Sequence, residues 1–203
     1  MEGFVDAFDQ VSKDIRKADE VLWFRGHNSS KHKLVPSLYR LKNDMEPEKI
    51  RPLKQIMEDL TCAFRVRAYH TPEIFPNGND TIIGTMVSMQ HYGVNTNLLD
   101  WSQQLFSALY FALEDYINDP DKQSAKVNAR VYIFNPARYN KEVESILNFK
   151  MNENYFVIPS IMGDDEKYAR YLPILKSGDG VDGYVEYNYP IAIYTPYVNA
   201  RIK

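Results

Sequence analysis

The feature that most limits the fold is how apolar spacing changes along the chain: segments of helical period and short segments of strand period follow one another without regular alternation. Phe4, Phe8, Val11 and Ile15 recur at helical spacing over residues 3–18, with Asp, Lys and Gln on the other face. Glu20 to Phe24 is then a short run with strand formers, closed by Arg25-Gly26-His27 and a polar loop, so Arg25 is expected at the end of a strand. Val35 precedes a proline and begins extended, ahead of a turn of helix through Tyr39 and Arg40. A helix is predicted from about Pro47 to Tyr69, with Ile50, Leu53, Ile56, Leu60 and Phe64 on one face, and another from an Asp80 N-cap to about His91, stopped by Gly93. Thr71 to Asn79, with two prolines and a glycine, is a loop. Leu98-Leu99-Asp100-Trp101 reads as a short strand or a turn, and Ser102 as the N-cap of a helix over 103–116 whose buried stripe is Leu105, Ala108, Leu109, Ala112 and Leu113. Ala129 to Phe134 alternates as a strand does, Pro136 to Leu147 is helical, and Tyr155 to Pro159 and Gly183 to Tyr194 read as strands. A doubly wound sheet needs regular strand and helix alternation. The expectation is therefore α+β: one domain over 1–203, a small central mixed sheet flanked by several helices, with 1–19 forming an N-terminal helix.

Composition sharpens this only in places. The 203 residues are enough for one domain with a substantial core, and 44% hydrophobic with 25% charged residues implies neither disorder nor a membrane protein. No apolar run approaches the roughly 18 residues of a spanning helix. The start, Met1-Glu2-Gly3-Phe4-Val5-Asp6, is acidic where a signal peptide is basic, so a cytoplasmic protein with no membrane partner is expected. A net charge of -3 argues against a strongly basic nucleic-acid footprint, although local patches can still hold phosphate. The one cysteine, Cys62, cannot form an internal disulfide and is expected to be a small buried filler. Fifteen tyrosines and ten phenylalanines supply flat rings, suited to stacking pockets as well as to a core rim. His27, His32, His70 and His91 show no ligand spacing, so no metal is expected. With no Gly-x-x-x-x-Gly-Lys loop and no dinucleotide fingerprint, kinase, ATPase and Rossmann readings are set aside.

Two stretches stand out chemically. Met89-Gln90-His91-Tyr92-Gly93-Val94-Asn95-Thr96-Asn97-Leu98-Leu99-Asp100-Trp101-Ser102 packs hydrogen-bonding groups, two aromatics and a glycine between two helical segments, a mixture a core does not need. In Val21-Leu22-Trp23-Phe24-Arg25-Gly26-His27 an apolar strand pattern runs straight into an arginine and a glycine. Together they resemble the FRG domain, a family named for its Phe-Arg-Gly tripeptide and found mainly in bacteria and phages. Phe24-Arg25-Gly26 carries the name; Gln90-His91-Tyr92-Gly93, Thr96, Leu98-Leu99-Asp100-Trp101 and Ala108-Leu109-Tyr110-Phe111-Ala112 carry the longer signature. A weaker likeness runs through Pro36-Ser37-Leu38-Tyr39-Arg40 and to Asn199-Ala200-Arg201-Ile202. Family members often flank the threonine with proline and arginine and place a threonine after the tryptophan, where this chain has Asn95, Asn97 and Ser102. The change at Asn97 removes one anion contact. Members also tend to continue past the Arg201-Ile202 segment, so this chain is expected to be a short member or to lack a C-terminal piece.

A more distant similarity, to the ADP-ribosyltransferase fold, implies an arginine on a first strand, a serine or threonine after a second and a glutamate on a late strand. Arg25, Ser102 and Glu186 occupy those places in chain order. The similarity implies NAD as substrate, with Arg25 on phosphate, Ser102 fixing the ribose or the acid, and Glu186 stabilising an oxocarbenium-like state. Gly26, His27, Gln90, His91, Tyr92, Thr96, Asp100 and Tyr110 are the expected cofactor-binding residues; Gly26 allows close approach to backbone, and Tyr92 or Tyr110 can stack on a ring. The residues alone leave alternatives open: Arg25 paired with Asp100, Ser102 as a helix cap, Glu186 on a solvent face, Asp100 as the acid, His91 satisfied at a helix end. The expected partners are a macromolecular acceptor, protein or nucleic acid, and an antitoxin or other partner protein. The expected role is that of a toxin or phage-conflict effector. The alternative is a non-catalytic module of such a system that binds a nucleotide or a protein.

Overall fold

A computed structural model describes residues 21–44, 53–71, 82–119 and 128–147, together with Ala192 and several helical positions between 6 and 13. Its elements are β1 (Trp23–His27), α1 (Ser37–Asp44), α2 (Leu53–Ala68), α3 (Ile82–His91), α4 (Leu105–Asn118), β2 (Arg130–Phe134) and α5 (Pro136–Leu147). Helices with a small antiparallel sheet make the chain α+β. The expected strands at 155–159 and 183–194, the Asp80 cap, most of the first helix and Glu186 lie outside the described residues. Where a mixed sheet is expected, the described residues hold one antiparallel pair, β1 with β2. Backbone contacts divide the chain into two compact units: Met1–Lys33 with Asp100–Glu142, and Leu34–Leu99 with Val143–Lys203.

In the first unit, Trp23, Phe24, Arg25, Gly26 and His27 lie opposite Phe134, Ile133, Tyr132, Val131 and Arg130 in turn. Arg25 therefore sits in the middle of its strand rather than at its end. The strand continues through Arg25-Gly26-His27 because β2 supplies cross-strand partners along its whole length. A second neighbour joins β1 at Phe24, whose amide donates to the Ser102 carbonyl at 2.6 Å and whose carbonyl accepts from the Ser102 amide at 2.8 Å. Side chains alternate on a strand, so Phe24 and Gly26 share one face and Trp23, Arg25 and His27 the other.

α4 lies on the Gly26 face at very close range. A Cβ added to Gly26 would overlap the Ala108 carbonyl and stand 2.7 Å from the Ala112 amide. That approach is possible because Ala108 and Ala112, one helical turn apart and each 1% exposed, present only methyl groups. Leu113, expected in the buried stripe, is exposed, because the two alanines and not the larger side chains face the strand. The N-cap of α4 is Gln104, not Ser102; the Ser102 hydroxyl accepts from the Gln104 amide at 3.0 Å, two residues along, in a local turn that precedes the helix.

In the second unit α1, α2 and α3 enclose Leu38, Ile56, Met57, Met86 and Met89, with Leu41, Leu53, Leu60, Phe64, Val94 and Leu98 packed around them. The methionines, flexible and polarisable, fill the irregular gaps left between three short helices. The predicted face of α2 is the buried one from Leu53 to Phe64. Cys62 is exposed rather than buried, since two residues from Leu60 and two from Phe64 is the far side of the helix. α3 ends at His91 as expected, and the mechanism is explicit: Gly93 takes φ +76°, its amide donates to the Gln90 carbonyl at 3.1 Å, and the Val94 amide donates to the Met89 carbonyl at 2.8 Å. This pairing is a Schellman cap, completed by Val94 packing back onto the core that holds Met89.

Candidate functional site

The face of the strand pair that carries Trp23, Arg25 and His27 changes character along its length, from a buried ring to half-buried polar groups. At one end Trp23 and Phe134 have ring centroids 6.2 Å apart, and Trp101 stacks on Phe134 at 4.9 Å and 29°. The Tyr139 ring of α5 lies 5.1 Å from Phe134 as well. At the other end stand Arg25 beside Tyr132 and His27 beside Arg130, each a directly opposed cross-strand pair. Rings thus give way to cations over about three residues of strand, or on the order of 10 Å.

The cationic end is wired by a directional set of hydrogen bonds. Arg25 Nε–H donates to His27 Nε2 at 3.0 Å. A guanidinium only donates, so His27 Nε2 must be unprotonated and the imidazole proton must sit on Nδ1, which lies 3.3 Å from the His32 carbonyl. From the other strand, Arg130 Nη1 donates to the Tyr132 hydroxyl at 3.3 Å, and that hydroxyl donates to the same His32 carbonyl at 3.2 Å. The His27 and Tyr132 rings meet edge to face at 5.1 Å, and Arg130 stands 5.6 Å from the Tyr132 ring centre. The Arg130 guanidinium and the His27 imidazole thus lie against one phenol ring, and the His32 ring stands 6.2 Å from that of His27.

Arg25 also reaches across to the second motif, where its Nη1 donates to the main-chain carbonyl of Asp100. Arg25 and Asp100 are therefore joined through the Asp100 main-chain carbonyl. With the Phe24 and Ser102 bridge beside it, this fixes Asp100-Trp101-Ser102 along the outer edge of β1. Each residue of the tripeptide has a separate job: Phe24, 4% exposed, is buried and carries the bridge, Arg25 ties in Asp100 and His27, and Gly26 admits α4. Arg25, Gly26, His27, Asp100 and Ser102 are thereby assembled in one unit. Tyr110 belongs to the same unit but stands on the exposed side of α4, where its hydroxyl donates to Glu114 at 3.4 Å, away from the face that meets β1.

Gln90, His91, Tyr92 and Thr96 belong to the second unit, and their chemistry differs. Thr96 is fully buried, and its amide donates to Ser37 Oγ at 3.1 Å while its carbonyl accepts from the Leu38 amide at 3.0 Å. Its hydroxyl donates to Gln90 Oε1 and accepts from the Leu98 amide at 3.2 Å. Gln90 Nε2 returns to the Leu98 carbonyl at 3.4 Å. These bonds staple the turn after α3 to the first turn of α1. His91 and Tyr92 are exposed, with their rings in edge contact at 5.2 Å and Tyr92 lying 6.2 Å from Phe64.

Three residues around Arg25 lay outside the sequence expectations for the site: Tyr132, Arg130 and His32. The signal that could find the first two is alternation, since Arg130-x-Tyr132 matches Arg25-x-His27 once the strands are set antiparallel. Among the described residues no three His, Cys, Asp or Glu side chains converge as metal ligands, and no helix is long and apolar enough to cross a membrane.

A family model described as the FRG domain matches residues 20–121, half of the chain. The match takes in Phe24-Arg25-Gly26, Pro36 to Arg40 and the whole stretch from Gln90 to Ala112. No curated protein and no solved structure matches the chain.

Proposed function

The chain belongs to the FRG domain family, and from that premise we propose that the Arg25 face of the strand pair takes a nucleotide of the NAD class and transfers its ADP-ribose to a macromolecule, as a toxin-like or phage-conflict effector. The observation that supports this reading is one strand face with the Trp23, Phe134 and Trp101 rings at one end and the Arg25 and Arg130 guanidiniums at the other. A dinucleotide has the same two chemistries, planar rings that stack and a pyrophosphate that needs positive charge. Arg25 suits the phosphate because guanidinium binds it bidentately, and its bonds to His27 and Asp100 fix where it points.

In such a transfer the bond between the ribose C1′ and the nicotinamide nitrogen breaks, its electron pair leaves with nicotinamide, and an acceptor nucleophile bonds to C1′ and gives up a proton. Arg25 would hold the pyrophosphate, and a carboxylate would steady the positive charge at C1′. Asp100 lies beside Arg25 and has an exposed side chain; Glu186, the other candidate, lies outside the described residues. Ser102, whose hydroxyl accepts from the Gln104 amide, would orient the acid.

A second reading, a module that binds a nucleotide or a protein without chemistry, draws support from one fact: every residue of the tripeptide also has an architectural task. The two readings part in one experiment. The purified protein is incubated with labelled NAD and a cell lysate, beside Arg25→Lys, which keeps the charge but loses the planar fork. Label entering protein or nucleic acid only with the intact protein supports the transferase and identifies the acceptor class. NAD that raises the melting temperature with no label transferred supports the binding module, and neither effect with NAD removes it as the ligand.

A further inference from the structure

The loop that leaves β1 is tied down at nearly every residue. Asn28 Nδ2 donates to the Asp115 carboxylate of α4 at 2.7 Å, and the Ser30 amide donates to the Asn128 carbonyl, just ahead of β2, at 2.6 Å. Ser29 accepts twice, from the Lys31 amide at its hydroxyl and from the His32 amide at its carbonyl. The His32 carbonyl in turn receives the Tyr132 hydroxyl at 3.2 Å and faces His27 Nδ1 at 3.3 Å. None of these bonds uses the side chain of Lys31 or Lys33.

What the loop presents outward is therefore Lys31, His32 and Lys33, all exposed. The two lysines stand two residues apart in non-helical chain, no more than about 7 Å between α-carbons. A third cation is held beside them. Arg130, exposed on β2, donates at 3.3 Å to the same Tyr132 hydroxyl that donates to the His32 carbonyl. Among the described residues none of Lys31, Lys33 and Arg130 is in an ion pair, and Asp115, which reaches the loop from α4, is engaged by Asn28.

We propose that this patch binds the phosphodiester backbone of a nucleic acid. Several cations spaced along a fixed loop match a ligand whose negative charge repeats at intervals. Residue types favour this occupant over an acidic protein. Lysine is depleted at protein interfaces, which draw their energy from aromatic and arginine anchors in desolvated pockets, and a run of phosphates needs neither. Because the loop is fixed beforehand, little ordering is lost when the ligand arrives. The net charge of -3 for the whole chain does not oppose this, since only charges within roughly a Debye length, about 10 Å, act strongly on the patch. Phosphate contacts alone carry no base readout, so binding is expected to ignore sequence and to lie in the micromolar range. On the transferase reading the patch makes nucleic acid the acceptor, but the binding itself needs no NAD.

The test is fluorescence anisotropy of a labelled single-stranded oligonucleotide of about twelve nucleotides, titrated with the full chain and no NAD from about 50 to 200 mM salt. Plotted as log affinity against log salt, a slope of about -2 is expected, three phosphate contacts at about -0.7 each. Lys31→Gln with Lys33→Gln is expected to weaken binding at least about tenfold at the lowest salt and to bring the slope to about -0.7, with an unchanged circular dichroism melt because both side chains are exposed. Arg40→Gln with Arg67→Gln removes two exposed cations from the other unit and should change neither affinity nor slope. Absence of binding at the lowest salt overturns the proposal, and so does an equal loss from the two double variants. Displacement of the oligonucleotide by polyglutamate of the same length at equal concentration overturns it too, and assigns the patch to an acidic protein segment.

Discussion

The strand pair around Arg25 and the turn around Thr96 are both rich in hydrogen-bonding groups, yet they spend them differently. Around Thr96 the amide, carbonyl and hydroxyl all return to the chain, to Ser37, Leu38, Gln90 and Leu98, and the residue is fully buried. Around Arg25 the bonds converge on the His32 carbonyl and leave two guanidiniums and two imidazoles side by side on a half-open face. One region closes a polar circuit and thereby sets a turn against a helix. The other keeps its polar groups only half buried on one face of a strand pair. A motif rich in polar residues is thus no guide to a site by itself; what separates the two is how far its groups are withdrawn from water.

The widest effect on this contrast is expected from Gly26→Ala. The added carbon collides with the backbone of α4 and no side chain can yield to relieve it, so a loss above about 3 kcal/mol in unfolding free energy is expected, read from the denaturant midpoint. An unchanged midpoint would show that α4 does not depend on this contact. Thr96→Val comes next, at about 2 to 3 kcal/mol, since Gln90 Oε1 and the Leu98 amide both lose their partner in a buried place. Thr96→Ser should recover most of that, and if it does not, the hydroxyl is not what holds the turn. The mildest is Gly93→Ala, because nothing lies within 4 Å of the new carbon and only the positive φ resists it; about 1 kcal/mol is expected by thermal melting. A Gly93→Ala loss equal to that of Gly26→Ala would erase the distinction between a glycine needed for space and one needed for conformation.

Much of the helical architecture was legible in the periodicity. Pro136–Leu147 has the bounds its apolar spacing predicts, and Gly93 announces the end of α3. The extent of β1 was hidden, because Arg25, Gly26 and His27 are selected by what lies across from them and beneath them rather than by alternation of hydropathy. The clue at Gly26 was available in another segment, where Ala108 and Ala112 stand one turn apart on a helix, as a close strand contact requires. Cys62 and Leu113 were misplaced by reading apolar character as burial, when their angular positions face outward. The candidate site was legible only as a set of neighbours: Arg25, His27, Asp100 and Ser102 lie in one unit, while Tyr132, Arg130 and His32 depend on a strand register that no local pattern encodes. The link between Thr96 and Ser37 joins residues far apart in the chain and leaves no trace in either segment alone.

The bridge between Phe24 and Ser102 has a consequence for how the protein keeps to itself. A two-stranded ribbon has two open edges, and an open edge is a template on which a strand from another molecule can add. Here the outer edge of β1 is already occupied at Phe24 by Ser102, a residue of its own unit. A foreign strand seeking that edge would first have to displace Ser102, and with it the Asp100 carbonyl that Arg25 holds. The contact that ties the two motifs together therefore also shields this edge of the ribbon from strand addition.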